Sequence, residues 1–156
     1  MKLRNLFTMR GAVDGPFDIG AVPKGNRQIF NTREGSFEGE RLSGTLAVNG
    51  GEWLLTDANG YGHVDAKVVL QTHDGANIYM YYTGIMEFND DVILAGAGEK
   101  EMAFGDIHLL TQPRFETGDE RYAWLNNTIA VAEGRVIPGH VEYRVFEVLP
   151  NPDDHI

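Results

Sequence analysis

"HVDAKVVLQTHDGANIYMYYTGIMEF", residues 63–88, decides the fold. Val64, Ala66, Val68 and Leu70 recur at every second position, the period of a strand with one apolar face. "ANIYMYYTGIMEF" (76–88) is rich in tyrosine and isoleucine and suits a strand equally well. Between them Asp74-Gly75 is a two-residue hairpin signal, because glycine accepts the positive φ that such turns need. On the second strand Tyr79 and Tyr81 share one face, and Ile78, Met80 and Tyr82 the other.

The same reading extends in both directions. "NGG" (49–51) lies between the strand-like "SGTLAV" and "EWLLTD", and "NGYG" (59–62) provides the next turn, so four strands follow one another as a meander. Downstream, "MAFGDIHLL" (102–110), "YAWLNNTIAVAEG" (122–134) and "HVEYRVFEV" (140–148) read as strands, with "RVIPG" (135–139) as a hairpin. Upstream, "KLRNLFTMRG" (2–11) and "RQIFNTREG" (27–35) flank a Gly/Pro-rich loop, "DGPFDIGAVPKGN" (14–26). No window carries a sustained helical period with caps at both ends. About eight to ten short strands predict an all-β fold, a single antiparallel β-barrel with a central cavity, because closure removes exposed edges. A two-sheet sandwich is the alternative.

At 156 residues the chain fits one domain, predicted over 1–149, with a polar tail at 150–156. The net charge of −10 repels phosphate backbones and anionic bilayers, so neither nucleic acid nor a membrane is an expected partner. There are no cysteines, which excludes disulfides, thiol nucleophiles and thiolate metal sites. No stretch approaches the roughly 20 apolar residues of a membrane span, and the start lacks the apolar run of a signal peptide. A cytoplasmic location is expected. "NDDVILAGAGEKE" (89–101) is the longest irregular segment, read as a lid, a subunit contact in a homo-oligomer, or an ordinary packed loop.

Three blocks, "GSFEGERLSGTLAVNGGEW" (35–53), "DAKVVLQTHDGANIY" (65–79) and "PRFETGDERYAWLN" (113–126), resemble a family of small bacterial and fungal proteins of unknown function. The resemblance spans residues 3–148 and implies a lipocalin-like (calycin-like) antiparallel β-barrel. It implies no activity, and the segment 89–101 and the acidic tail stand outside it.

"PRFETGDERYAWLN" is dense in groups that could do chemistry. Period two puts Arg114 and Glu116 together, and likewise Tyr122, Trp124 and Asn126, so that one face could carry all five towards a common pocket. These residues would form a pocket wall, or else a closed corner in which Arg114 pairs with Glu116 or stacks on Trp124. Pro113 marks a strand edge or end. Asp65 is a second candidate, since an aspartate within a strand asks for a reason. It would be a buried general base if its face points inward, or one of a solvated row with His63 and Lys67. Tyr79 and Tyr81 could stabilise an oxyanion or serve as packing residues. Arg41 would clamp a polar ligand group or form a rim salt bridge.

No metal site or cofactor is expected, since the five histidines are scattered and no GxGxxG or GxSxG element stands in the required context. The favoured function is a cofactor-independent enzyme acting on a small apolar or aromatic molecule by proton transfer, of hydratase, lyase or isomerase type. Asp65, Glu116 and Tyr81 would be catalytic. Arg41, Trp53, Tyr79, Arg114, Tyr122, Trp124 and Asn126 would bind the ligand. The alternative is a non-catalytic lipocalin-like binding protein. The discriminator is geometric: catalysis on these residues requires that they converge inside the barrel, and it falls if Asp65, Glu116, Tyr79 and Tyr81 all face solvent.

Overall fold

Every ladder is antiparallel in the computed structural model, which describes residues 1–152. The strands are β1 (Lys2–Val22), β2 (Gly25–Glu38), β3 (Ser43–Leu46), β4 (Gly51–Thr56) and β5 (Tyr61–Thr72). After them come β6 (Asn77–Glu87), a helix α1 (Asp90–Gly96), β7 (Leu109–Glu116), a 3-10 helix (Glu120–Asn127), β8 (Ala130–Ile137) and β9 (His140–Leu149). The nine strands form one sheet in the order β1-β9-β8-β7-β6-β5-β3-β2-β4, with β1 also paired to β2 and β5 to β4. The pairings thus return to their starting strand. Short β3 and β4 share the place between β2 and β5: β4 pairs with the first half of each and β3 with the far end.

The Asp74-Gly75 hairpin is as predicted, with Gly75 at φ 94° and the β5–β6 ladder running from Tyr61↔Glu87 to Gln71↔Asn77. Alternation sets the inner face. Val64, Ala66, Val68 and Leu70 on β5, and Ile78, Met80 and Tyr82 on β6, are all buried. With Phe7, Phe37, Phe115 and Leu125 they form the core, each large side chain contributing about 1.5–3 kcal/mol of burial.

Three local expectations change. The predicted loop 14–26 is mostly strand, because the long β1–β2 hairpin absorbs its breakers at register shifts between Ala12 and Gly20. Residues 102–108 are irregular, and the strand runs instead through Pro113. That proline pairs with Tyr82 on one side, while the β7–β8 ladder covers only Leu110 and Thr111, so no bond is lost for want of its N–H. "YAWLNN" (122–127) is helical rather than extended. The segment 89–101 holds α1, capped by the Asn89 side chain on the Val92 N–H at 3.0 Å; one short helix is too brief to register as a period. Residues 153–156 of the predicted tail lie outside the described residues. No helix among the described residues is long and apolar enough to cross a membrane.

Candidate functional site

One cross-strand row organises the interior. Phe30 on β2 faces Glu52 on β4, Glu52 faces Ala66, Ala66 faces Tyr82, and Tyr82 faces Pro113. Neighbours across a ladder stand about 5 Å apart on the same face, so all five side chains point inward. Ala66 is small, and the space over its methyl lies between the Glu52 carboxyl and the Tyr82 phenol. Tyr143 of β9 joins them from the other side, its ring edge-on to that of Tyr82 with centroids 5.4 Å apart. Opposite Tyr143 the chain has Gly134, where a methyl group would lie 2.5 Å from the Leu109 side chain and 2.7 Å from the Tyr143 ring. The glycine makes room for the tyrosine.

Glu52 and Tyr143 line a cavity of about 380 Å³, and with Tyr82 they line a smaller one of about 40 Å³ beside it. Phe30, Leu54, Met86, Phe88 and Leu109 supply apolar walls. α1 lines it too, contributing Val92, Ile93 and Gly96, while Val92 and Ala95 anchor the helix in the core. No Lys or Arg lines the cavity.

The electrostatics follow from this enclosure. Glu52 keeps some accessible surface where the cavity reaches it, but protein surrounds it otherwise. Desolvation, with a smaller push from the charge of Asp65, raises its pKa from 4.5 to about 7. Burial, reinforced by Glu52, raises Tyr82; burial, with Tyr82 and Glu52 nearby, also raises Tyr143. Both phenols stay protonated at neutral pH and remain donors. Neither phenol, nor the Glu52 carboxyl, hydrogen-bonds to another described residue. Thr111, on the inner face of β7, adds a hydroxyl that is buried and has no partner.

The sequence-predicted residues stand elsewhere. Asp65, Tyr79, Tyr81, Arg114 and Glu116 do meet across the β5–β6–β7 ladders, Tyr81 opposite Arg114 and Tyr79 opposite Glu116, but on the outer face. Asp65 pairs with Lys67 at 3.2 Å, Tyr79 stacks on Tyr81 at 5.2 Å, and Tyr81 is 41% exposed. Trp53 is also outside, under the Lys67 ammonium. The inward register assumed for these residues does not hold, because the apolar residues of β5 and β6 take the inner face and leave the polar ones to water.

Arg41, Tyr122, Trp124 and Asn126 belong to a closed corner at the end remote from α1. The 3-10 helix breaks the alternation that would have aimed Tyr122, Trp124 and Asn126 together. Tyr122 donates its hydroxyl to the Asp74 carboxylate at 2.8 Å, and Thr72 donates to the same group at 2.6 Å. These hydrogen bonds, with Arg121 nearby, hold the Asp74 carboxyl below its ordinary pKa. Asn126 closes a two-way amide pair with the Thr117 backbone. Arg41 stacks on Trp124 at 3.9 Å and pairs with Glu147 at 2.7 Å. The fully buried Leu125 fills the space beneath.

A larger groove, about 860 Å³, runs along the outer face beside Leu3, His63, Ile85 and Leu110. It is open to solvent.

Glu52 escaped sequence reading because "GEWLLT" is apolar on both faces of the strand. The signal was the register of the "NGYG" hairpin, which puts Glu52 opposite Ala66, a member of the apolar face of β5.

Comparison with known proteins agrees with this architecture. UPF0311 protein RPA1785 of Rhodopseudomonas palustris is 27% identical over 150 residues, covering 96% of this chain and 97% of the relative. Its crystal structure superposes with a TM-score of 0.86 over 95% of this chain and 97% of that one, at 26% identity. A protein of Acinetobacter baumannii AYE, described as beta-barrel like, gives a TM-score of 0.78 at 27% identity, covering 94% of each chain. Residues 1–148 match the family described as "Protein of unknown function (DUF3237)", and the chain belongs to that family.

Proposed function

We propose that this member of the DUF3237 family is a β-barrel enzyme that needs no cofactor and moves a proton on a small, neutral, largely apolar carbonyl compound. The observation that carries the reading is the Glu52 carboxyl, set with the Tyr143 phenol in an apolar cavity, with the Tyr82 phenol on the smaller cavity beside it, and titrating at about 7. A carboxylate with that pKa is a general base matched to neutral pH. The ionised carboxylate of Glu52 takes a proton from the carbon next to the carbonyl, and the C–H electron pair passes to the carbonyl oxygen. The O–H groups of Tyr143 and Tyr82 donate to the oxyanion that forms, in a site where few waters compete. Protonated Glu52 then returns the proton to the γ-carbon, where a β,γ-double bond in the substrate has made the intermediate a conjugated dienolate, giving isomerisation, or to a leaving hydroxyl on the β-carbon, giving elimination of water. The reverse of the latter is hydration. The catalytic roles first read into Asp65, Glu116 and Tyr81 pass to Glu52, Tyr82 and Tyr143.

The test is deuterium exchange. Wild-type protein in D2O is mixed with 4-hydroxyacetophenone, and loss of the methyl proton signal is followed by NMR. Glu52→Gln should slow the protein-dependent exchange by at least about 100-fold. Equal exchange rates with and without the carboxyl would refute the assignment.

A second reading, a lipocalin-like carrier, is favoured by one observation: Asp65 and Glu116 lie outside, the former in a salt bridge, leaving an apolar cavity. A carrier would bind the ketone and exchange none of its protons.

A further inference from the structure

Gln28 stands one pleat away from the row that holds Glu52. Across the β2–β4 ladder Gln28 faces Leu54, while Phe30 faces Glu52. Residues two apart on a strand share a face and lie about 7 Å apart along it, so Gln28 points inward beside Phe30, on the side toward α1. Gln28, Leu54, Phe30 and Glu52 all line the 380 Å³ cavity. The Gln28 amide is half-buried and makes no hydrogen bond to another described residue. It offers two donors and an acceptor without charge. His140 lines the same cavity, and its Nδ1–H donates to the Pro138 carbonyl at 3.1 Å. With no Lys or Arg on the wall, an anionic ligand would lose its hydration and gain no counter-charge.

We propose that Gln28 determines specificity, reading an uncharged oxygen on the ligand about 7 Å from the carbonyl addressed by Glu52 and Tyr143. The ligand class is then a neutral molecule with two oxygen functions separated by an apolar ring or short chain that lies over Leu54 and Phe30. This inference rests on the reading of Glu52 as the carbonyl end of the site.

The probes are 4-hydroxyacetophenone and 4-methylacetophenone, which share a carbonyl and differ in a hydroxyl or methyl at the far end of the ring. Ligand-detected NMR titration measures both against wild type, Gln28→Met, Gln28→Leu and Glu52→Gln. Wild type should bind the hydroxy ketone about tenfold more tightly, the worth of one hydrogen bond. Either folded Gln28 variant should bring the ratio close to one through weaker binding of the hydroxy ketone, with the methyl ketone unaffected. A ratio that survives in the Gln28 variants, or is absent from wild type, overturns the proposal. Glu52→Gln should keep the ratio and lose deuterium exchange. If the ratio depends on Gln28 while exchange ignores Glu52, the specificity assignment stands and the catalytic reading falls. If wild type binds neither ketone, both fall.

Discussion

Glu52 and Tyr82 are each the cross-strand neighbour of Ala66, so a carboxyl-bearing and a phenol-bearing side chain flank a methyl group on the inner face. The arrangement makes Ala66 a spacer. Ala66→Leu would put an isobutyl group into that gap and cut deuterium exchange by tenfold or more. Overpacking should cost about 1–3 kcal/mol as well, read from chemical denaturation.

The carboxyl of Glu52 imposes a pH signature on stability. Its pKa is about 7 in the fold against 4.5 in the unfolded chain, so between those values the native state holds the extra proton. Its contribution to stability is therefore greatest below about pH 4.5, declines up to about pH 7, and stays level above. The decline amounts to about 2–3 kcal/mol after allowance for water in the cavity. Glu52→Gln should remove it, so the variant gains on wild type as the pH is raised, in urea melts at pH 5 and pH 8. Exchange in the wild type should rise with pH, reach half its maximum near pH 7 and level off about one unit higher, as the base ionises.

The outer-face cluster yields a prediction of indifference. Asp65→Asn, Tyr81→Phe and Glu116→Gln should each leave exchange within about twofold of wild type, since surface changes of this kind perturb little. A hundredfold loss in any one would return catalysis to that face.

At the closed corner, Tyr122→Phe removes a hydrogen bond to a carboxylate. The melting temperature should fall by about 3–6 °C, with ketone binding unchanged. A loss of binding would mean that the corner reaches the cavity after all.

Gly134→Ala forces a methyl group against the Tyr143 ring. Exchange should drop along with stability. Tyr143→Phe, which keeps the ring in place, should lower exchange alone; unchanged exchange in Tyr143→Phe would deny the tyrosine its role as donor.

How much of this was legible beforehand follows from what each signal encodes. The period of two on β5 and β6, with Asp74-Gly75 between, carries the hairpin and its inner face, because alternation and turn chemistry are local. Membership of the family was equally legible in three blocks of sequence. Tyr122, Trp124 and Asn126 were misread because a short helix and a strand can both present aromatic residues at spacings of two over six residues. Asp65 was a poor guide, since a lone acid in a strand most often faces water. Glu52 depended on register between strands, a non-local quantity that no single segment contains.

One consequence of the filled corner concerns traffic. Leu125 fills the space under the 3-10 helix, and the 380 Å³ cavity lies toward the end that holds α1. On the proposed reading, substrate and product would share that one space, so added product should slow exchange competitively.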